Sequence, residues 1–280
     1  MTTDTRRGRM ALATWPLASP IGPMQMAPTD GGKRLPARAP AIHLEKRLAD
    51  LSAVFDLFEI CDGSVLSFHH HYRNGDRLMN AVLAHAAERG LRGLTIAPSS
   101  LFPVHTPLVG HIESGVIAHV LTDYAKGPVA DAMLSGLLRS PALLQSHGGR
   151  ARALETGALK VDVAFIGASL ARADGACTGR GGALPCGPLG YAMVDAAYAK
   201  HSVVCAHEIT DEALPHTDVP AEHVDAVIPF PHPGDVSGIA SDTTLPAQTP
   251  QAKAIGSMVA KVIAAAGLLK DGISLQTGAG

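Results

Sequence analysis

The residues with most chemical capacity sit in short polar runs between apolar segments. His69-His70-His71 follows one such segment and leads into Tyr72-Arg73-Asn74-Gly75-Asp76. Three adjacent imidazoles invite a metal reading. Successive side chains of an extended chain point to opposite faces, so the three cannot converge on one ion without a bend. No H-E-x-x-H motif supports such a site either. The triplet reads as a hydrogen-bonding turn at a strand's carboxyl end, with one histidine free to face a ligand, and no metal is assigned. Ser146-His147-Gly148-Gly149 is a second run. Its paired glycines either present N–H groups to a phosphate or carboxylate or make a tight strand-to-helix turn. The third run is glycine-dense, from Asp174-Gly175-Ala176-Cys177-Thr178-Gly179 to Cys186-Gly187-Pro188, with Gly190 just beyond. Glycine lets backbone N–H groups approach a ligand closely. A plain surface crossover is the alternative.

Other chemistries are excluded by motif. No G-x-x-x-x-G-K-[ST] phosphate loop and no G-x-S-x-G nucleophile turn is present. Gly179-Arg180-Gly181 lacks the trailing glycine of a dinucleotide fingerprint. Glu113, Glu155 and Glu208 are candidate acids, with Glu208 at a strand end. No catalytic nucleophile or base is assigned.

The elements that must position these runs follow from periodicity. An apolar run at 161–167, the glycine loop, a helical pattern at 189–200 and a β-branched run at 202–206 make a strand–loop–helix–strand unit. Upstream, strands are predicted at 63–68, 93–97, 116–122 and 142–145. Helices are predicted at 42–51, 77–89, with Asp76 as cap and Gly90 as stop, at 128–138 and at 151–155. Downstream, 223–228 and 272–276 read as strands and 251–266 as an Ala-rich helix ended by Gly267. This alternation predicts a three-layer α/β/α domain with a mostly parallel sheet. Loops at the carboxyl ends of parallel strands are where such sheets bind ligands.

Composition bounds the partners. The 280 residues are 46% hydrophobic but only 4% aromatic, so Ala, Val, Leu and Ile must fill the core. A net charge of −2 without a basic run argues against nucleic acid and against an anionic membrane. No apolar run reaches the ~18 residues of a membrane span. Arg6, Arg7 and Arg9 precede a short apolar stretch, but Trp15-Pro16 and Ser19-Pro20 interrupt it too early for a signal peptide, and Met10 is a second candidate start. Residues 1–40 show no periodicity and read as a poorly ordered arm that folding of the rest does not need. Cys61, Cys177, Cys186 and Cys205 include no C-x-x-C pair, which fits reduced thiols in a cytoplasmic protein, although a bond between Cys177 and Cys186 is open.

Several blocks together resemble one family. Asp62-Gly63-Ser64-Val65-Leu66-Ser67-Phe68-His69-His70-His71-Tyr72-Arg73-Asn74-Gly75-Asp76 is similar to the opening signature of the citrate lyase alpha subunit, a citrate CoA-transferase. Leu144-Gln145-Ser146-His147-Gly148-Gly149-Arg150, Ala171-Arg172-Ala173-Asp174-Gly175, Cys186-Gly187-Pro188-Leu189-Gly190-Tyr191-Ala192 and Ser274-Leu275-Gln276-Thr277-Gly278-Ala279-Gly280 resemble its later blocks, in the right order. The resemblance covers about residues 40 to 280. It implies a CoA-transferase-type α/β domain over 41–280, and a second similar half that this sequence lacks. It implies exchange of the acetyl group of an acyl-carrier thioester for citrate, giving citryl thioester and acetate. No bound cofactor is implied beyond that CoA-like thioester. The implied partners are a beta subunit, an acyl carrier (gamma) subunit and further copies in an oligomer. The resemblance places the thioester at Gly148, Gly149, Gly175, Gly179, Gly187, Gly190, Gln276, Gly278 and Gly280. The segment Pro229-Phe230-Pro231-His232-Pro233-Gly234-Asp235 departs from the family pattern. Two alternatives stand beside this reading: a non-catalytic binding or assembly half, and a sugar-phosphate isomerase-like enzyme of the same fold. With one wall of the implied site absent, the isolated chain is expected to have little or no transferase activity.

Overall fold

The computed structural model describes residues 34–40, 46–239 and 248–273. Its strands, in chain order, are β1 (Val65–Phe68), β2 (Leu94–Pro98), β3 (Ile117–Thr122), β4 (Leu143–Leu144), β5 (Val163–Arg172), β6 (Cys177–Thr178), β7 (His201–Thr210) and β8 (Ala226–Pro229). The α-helices are α1 (Leu51–Leu57), α2 (Leu78–Glu88), α3 (Leu108–Glu113), α4 (Pro128–Leu134), α5 (His147–Glu155), α6 (Ala192–Tyr198) and α7 (Pro250–Ala265). The strands form one sheet in the order β4-β3-β2-β1-β5-β7-β8, with β6 beside β5. The pairs along this order are parallel, and only β5–β6 is antiparallel.

Alternation along each strand explains the layers. Leu66, Phe68, Leu94, Ile96, Val163, Phe165, Val203, Cys205, Ala226 and Ile228 share one core with residues of α1 to α4. Their neighbours in the strands point to the other face. There Ile166, Ala168, Val204, Ala206 and Val227 pack with Ala192 and Ala196 of α6, while Ala97 and Ala164 pack with Ala153 and Leu154 of α5. This is the expected three-layer α/β arrangement. The second face is lined largely by alanine, which lets α5 and α6 lie close to the sheet.

From β1 the chain steps through β2, β3 and β4 on one side, then crosses to β5, β7 and β8 on the other. The reversal lies between β1 and β5. Open α/β sheets bind ligands at such a switch, outside the carboxyl ends of the strands. The His69-His70-His71 run leaves β1 at that point.

The structure departs from the predicted elements in several places: α3 was not expected at all, β7 runs on past 206 to Thr210, and α4 ends at Leu134 rather than 138. The helix expected at 42–51 starts instead at Leu51, because the Asp50 carboxylate accepts from the Ala53 N–H at 3.0 Å and caps it there. Residues 41–45 lie outside the described residues. The α5 helix begins at His147 rather than 151, capped by the Ser146 hydroxyl, which accepts from Gly149 N–H at 3.0 Å. The β5 strand runs on past Gly167 to Arg172, and the glycine loop contains β6, which folds back on it through a turn at Gly175, φ +103°. Finally, residues 34–40 are not loose. Leu35 N–H donates to Glu155 O at 2.7 Å and Arg38 N–H to Ala197 O at 3.0 Å. The Arg38 guanidinium reaches Asp225 at 2.5 Å, Ser202 and the His223 carbonyl.

The α/β unit closes at Ile239, and residues 240–280 form a unit of their own. Within that unit α7 is capped by Thr249, whose hydroxyl accepts from Ala252 N–H at 3.1 Å, and it stops just before Gly267, φ +68°. Ile255, Met258, Val259 and Val262 make an exposed stripe along it. The strand expected at 272–276 falls mostly outside the described residues, as do Gln276, Gly278 and Gly280.

Candidate functional site

Polar side chains gather where β1 to β4 end. The foundation is a buried ion pair. Arg150, on the inner side of α5, holds both oxygens of Asp195 on α6, at 2.5 and 2.6 Å, and donates to the Ala97 carbonyl of β2 at 3.1 Å. Burial alone would raise the Asp195 carboxyl. The Arg150 charge and hydrogen bonds, helped by His69, overcome this and hold it well below the usual carboxylate range. The His69 Nδ1–H faces the Phe165 carbonyl at 3.3 Å. Its Nε2 lies 3.3 Å from Asp195 Oδ2, near enough for attraction but misaligned for a hydrogen bond. One buried cluster therefore ties β1, β2, α5 and α6 together beneath the site.

The histidine triplet divides as its chain geometry dictates. His69 and His71 share one side and stack, ring centroids 5.5 Å apart, while His70 points elsewhere. His71 Nε2–H donates to Leu189 O at 3.1 Å, and burial pushes its pKa down to about 3. His70 Nδ1 sits 2.6 Å from the Ser99 hydroxyl, and burial, with the His147 and His69 charges, lowers its pKa to about 4. Both rings are therefore neutral near pH 7. Among the described residues no cluster of His, Cys, Asp and Glu has the arrangement of a metal site.

His147, the first residue of α5, is different. Its Nδ1 is 2.7 Å from Asp123 Oδ2; its side chain is 48% exposed and that of Asp123 is 1% exposed. Burial raises the Asp123 carboxyl, and the hydrogen bond from His147 opposes that rise. The second oxygen of Asp123 and both polar atoms of the Gln145 side chain are buried without a partner among the described residues. The His147 ring lies 5.0 Å from Tyr191 and 5.9 Å from His70, and Tyr191 is 6.1 Å from His70.

The predicted glycines separate into two groups. Gly148 and Gly149 are in the first turn of α5, and Gly190 precedes Tyr191, so these three flank the ring cluster. A Cβ at Gly148, Gly187 or Gly190 would meet nothing within 4 Å. Gly175 and Gly179 serve internal packing instead. A Cβ at Gly175 would come within 2.7 Å of Val224, and one at Gly179 within 2.8 Å of Cys186 Sγ and closer still to the Gly187 carbonyl. No ligand can approach their α-carbons from those sides. Cys186 is held as a thiol, burial raising its pKa to about 12, which removes it as a nucleophile. All four cysteines are free.

Asp123, Ser99, Tyr191 and Asp195 were not singled out by the sequence. Asp123 follows β3 directly, the position that drew attention to Glu208. Asp195 lies among alanines on the buried side of α6, and a lone carboxylate on an apolar helix face signals a buried partner.

The chain is an α/β domain with polar groups gathered at the switch point of an open parallel sheet, where such domains bind ligands. Residues 45–280 match the family described as the citrate lyase alpha subunit. Over 239 residues the chain is 38% identical to the citrate lyase alpha chain of Escherichia coli K12, covering 84% of this chain and 46% of that one. Over 219 residues it is 37% identical to the Klebsiella pneumoniae chain, covering 78% and 43%. A crystal structure described as the putative alpha subunit of citrate lyase from Streptococcus mutans, in complex with citrate, superposes with a TM-score of 0.82 at 35% identity, covering 90% of this chain and 50% of that one. The chain belongs to the citrate lyase alpha subunit family. It spans about half the length of the curated relatives it matches.

Proposed function

We propose that this chain supplies one half of a citrate CoA-transferase, in which a citrate carboxylate displaces the thiolate of an acetyl thioester. In that step the carboxylate oxygen bonds to the acetyl carbonyl carbon and the C–S bond breaks, leaving a mixed anhydride and a thiolate. The thiolate then attacks the citryl carbonyl and acetate departs, so the proton balance is unchanged. Backbone N–H groups near Gly148 and Gly190, where the surroundings are open, are suited to meet the developing oxyanions. The thioester is a substrate carried by an acyl carrier subunit, and a beta subunit consumes the citryl product. This reading places the complex in the cytoplasm as an oligomer. Among the described residues no helix is long and apolar enough to cross a membrane.

One observation carries the reading. His70, His147 and Tyr191 come from three separate blocks shared with the family, and their rings meet within 6.1 Å. Neither an isomerase nor a mere assembly half accounts for that convergence together with the family membership. The test is formation of citryl-CoA from acetyl-CoA and citrate. The 280-residue chain is expected to turn over poorly alone, because positioning by an opposing wall is worth several orders of magnitude. Addition of the remaining half, as found in the relatives, should produce turnover. Absence of citryl-CoA from the combined sample would reject the reading.

A further inference from the structure

Every polar group of His70 but one is committed. Its main-chain N–H donates to the Ser99 hydroxyl at 3.1 Å, and its carbonyl accepts from the Arg73 N–H at 3.0 Å. Its ring Nδ1 lies 2.6 Å from the same Ser99 hydroxyl. Ser99 is itself held firmly: its N–H donates to Phe68 O at 3.0 Å and its carbonyl accepts from the Ser100 hydroxyl at 2.7 Å. These contacts fix where the ring proton resides. Ser99 is fully buried, and among the described residues its hydroxyl meets only His70. A hydroxyl has one proton and two lone pairs. One lone pair takes the His70 main-chain N–H. If Nδ1 also carried a proton, the hydroxyl's own proton would be sealed in the core without an acceptor, which buried groups rarely tolerate. The hydroxyl therefore donates to Nδ1, and the ring proton sits on Nε2. Burial, with the charges of His147 and His69, keeps the ring from taking up a second proton near pH 7, its pKa lowered to about 4. Nε2 has no partner among the described residues and, unlike that of His69, is not sealed from solvent. The rings of His147, Tyr191 and Phe102 stand around it, 5.9, 6.1 and 6.4 Å from the His70 ring.

We infer that Ser99 is a positioning residue that locks His70 as the Nε2–H tautomer, and that this neutral N–H is a hydrogen-bond donor to the carbonyl oxygen of the thioester undergoing exchange. The inference rests on the transferase reading and adds to it a side-chain donor and the residue that sets its proton. A ring in this state cannot act as a general base, since Nε2 has no lone pair to offer. It also carries no charge. A neutral donor gains little from the uncharged carbonyl of the ground state and more as that oxygen becomes an anion, which is where stabilisation raises the rate. The Ser99 O–H bond to Nδ1 and the Nε2–H bond to the oxygen form one chain, in which each polarises the next. No proton changes hands. The attacking carboxylate oxygen bonds to the acyl carbon while the carbonyl π pair moves onto oxygen, and that pair returns as the C–S bond breaks. The ring ends the step as it began.

The first measurement uses the full 280-residue chain. Long-range proton–nitrogen NMR correlation near pH 7 should show His70 with a pyrrole-type Nε2 and a pyridine-type Nδ1. Ser99→Ala should turn this single form into a mixture that includes Nδ1–H, and Ser99→Thr, which keeps the hydroxyl, should restore it. A serine that only filled space would leave the nitrogen pattern alone. The second measurement follows citryl-CoA formation after the remaining half, as found in the relatives, is added. His70→Phe should lower kcat by about 10²-fold or more, the scale of a lost oxyanion donor. Ser99→Ala should lower it about tenfold, the scale of a lost orienting group behind a ligand. The KM for citrate should stay nearly unchanged in both. His119→Gln, an exposed histidine bonded to Ser140, should alter neither readout. The spectrum of the unsubstituted protein needs no variant to fold, and a His70 ring there that carries its proton on Nδ1, or exchanges freely between the two forms, overturns the inference by itself. So does a folded Ser99→Ala with the parent's nitrogen pattern, or a folded His70→Phe with the parent's kcat. The two readings fail separately. Turnover indifferent to His70 and Ser99 would keep the transferase and reject the donor. Absence of citryl-CoA from the combined sample, with His70 locked as Nε2–H, would reject the transferase and with it the donor role, leaving Ser99 as the residue that sets the tautomer.

Discussion

At the scale of residues, Arg150 and Asp195 decide whether the site has a floor. Removing two charges together from a core is often tolerated, but removing one leaves the other buried and unpaired, at a cost of about 3–5 kcal/mol. Arg150→Met leaves Asp195 with only the misaligned His69 Nε2 at 3.3 Å. The thermal midpoint should fall by roughly 10 °C for a unit of this size, and Arg150→Met with Asp195→Leu should recover most of it. Thermal unfolding of the single and double variants checks this; a single variant as stable as the parent would show that the pair is not holding the fold. The histidine triplet shows what a sequence conveys at this scale. Alternation along the chain was enough to separate His70 from His69 and His71. The partners of each ring were not legible, because Asp195, Leu189 and Ser99 arrive from elements far along the chain.

At the scale of elements, glycine proved to be two kinds of signal. Gly175 is required by the fold: its φ is +103° and a Cβ would press on Val224 at 2.7 Å. Gly175→Val should therefore cost at least about 2 kcal/mol, from backbone strain and overpacking together. Gly148 has neither constraint, and Gly148→Ala should leave stability unchanged or slightly raised, since alanine is the better helix former. Denaturant midpoints for the two variants separate these cases; equal losses would erase the distinction. The strands and helices themselves were largely legible, because apolar alternation and caps such as Asp76 are local. The Asp76 carboxylate accepts from Met79 N–H at 3.2 Å, as its position before α2 required. The hairpin β5–β6 was missed because glycine density resembles a loop, while the pairing of Leu170 with Thr178 across the turn leaves no periodic mark on so short a strand.

At the scale of the molecule, the three-layer order followed from alternation, but the sheet order did not. Nothing local says that β5 crosses back beside β1, and that crossing creates the site. The arm is a second case. Residues 34–40 have no periodicity, yet Arg38 bridges Asp225, Ser202 and the His223 carbonyl, so one side chain anchors what composition alone cannot. A chain beginning at Arg34 should keep its thermal midpoint, whereas one beginning at Ala41 should lose about 2–3 kcal/mol from those charge-assisted hydrogen bonds, some 5–10 °C by thermal unfolding. Equal midpoints would return the arm to irrelevance.

The buried Arg150 cluster also has a consequence in time. Its closing contacts join Ala97 to Arg150 and Arg150 to Asp195, 53 and 45 residues apart in sequence. Contacts of such separation form late, after the entropy of closing long loops has been met. A nascent chain released before α6 has emerged can build β1 to β4 and α5, but it leaves a guanidinium facing an apolar sheet with no counter-ion. The Asp195 counter-ion therefore reaches Arg150 only once α6 has been made, and every partial product of synthesis shorter than Asp195 lacks the floor of the cluster.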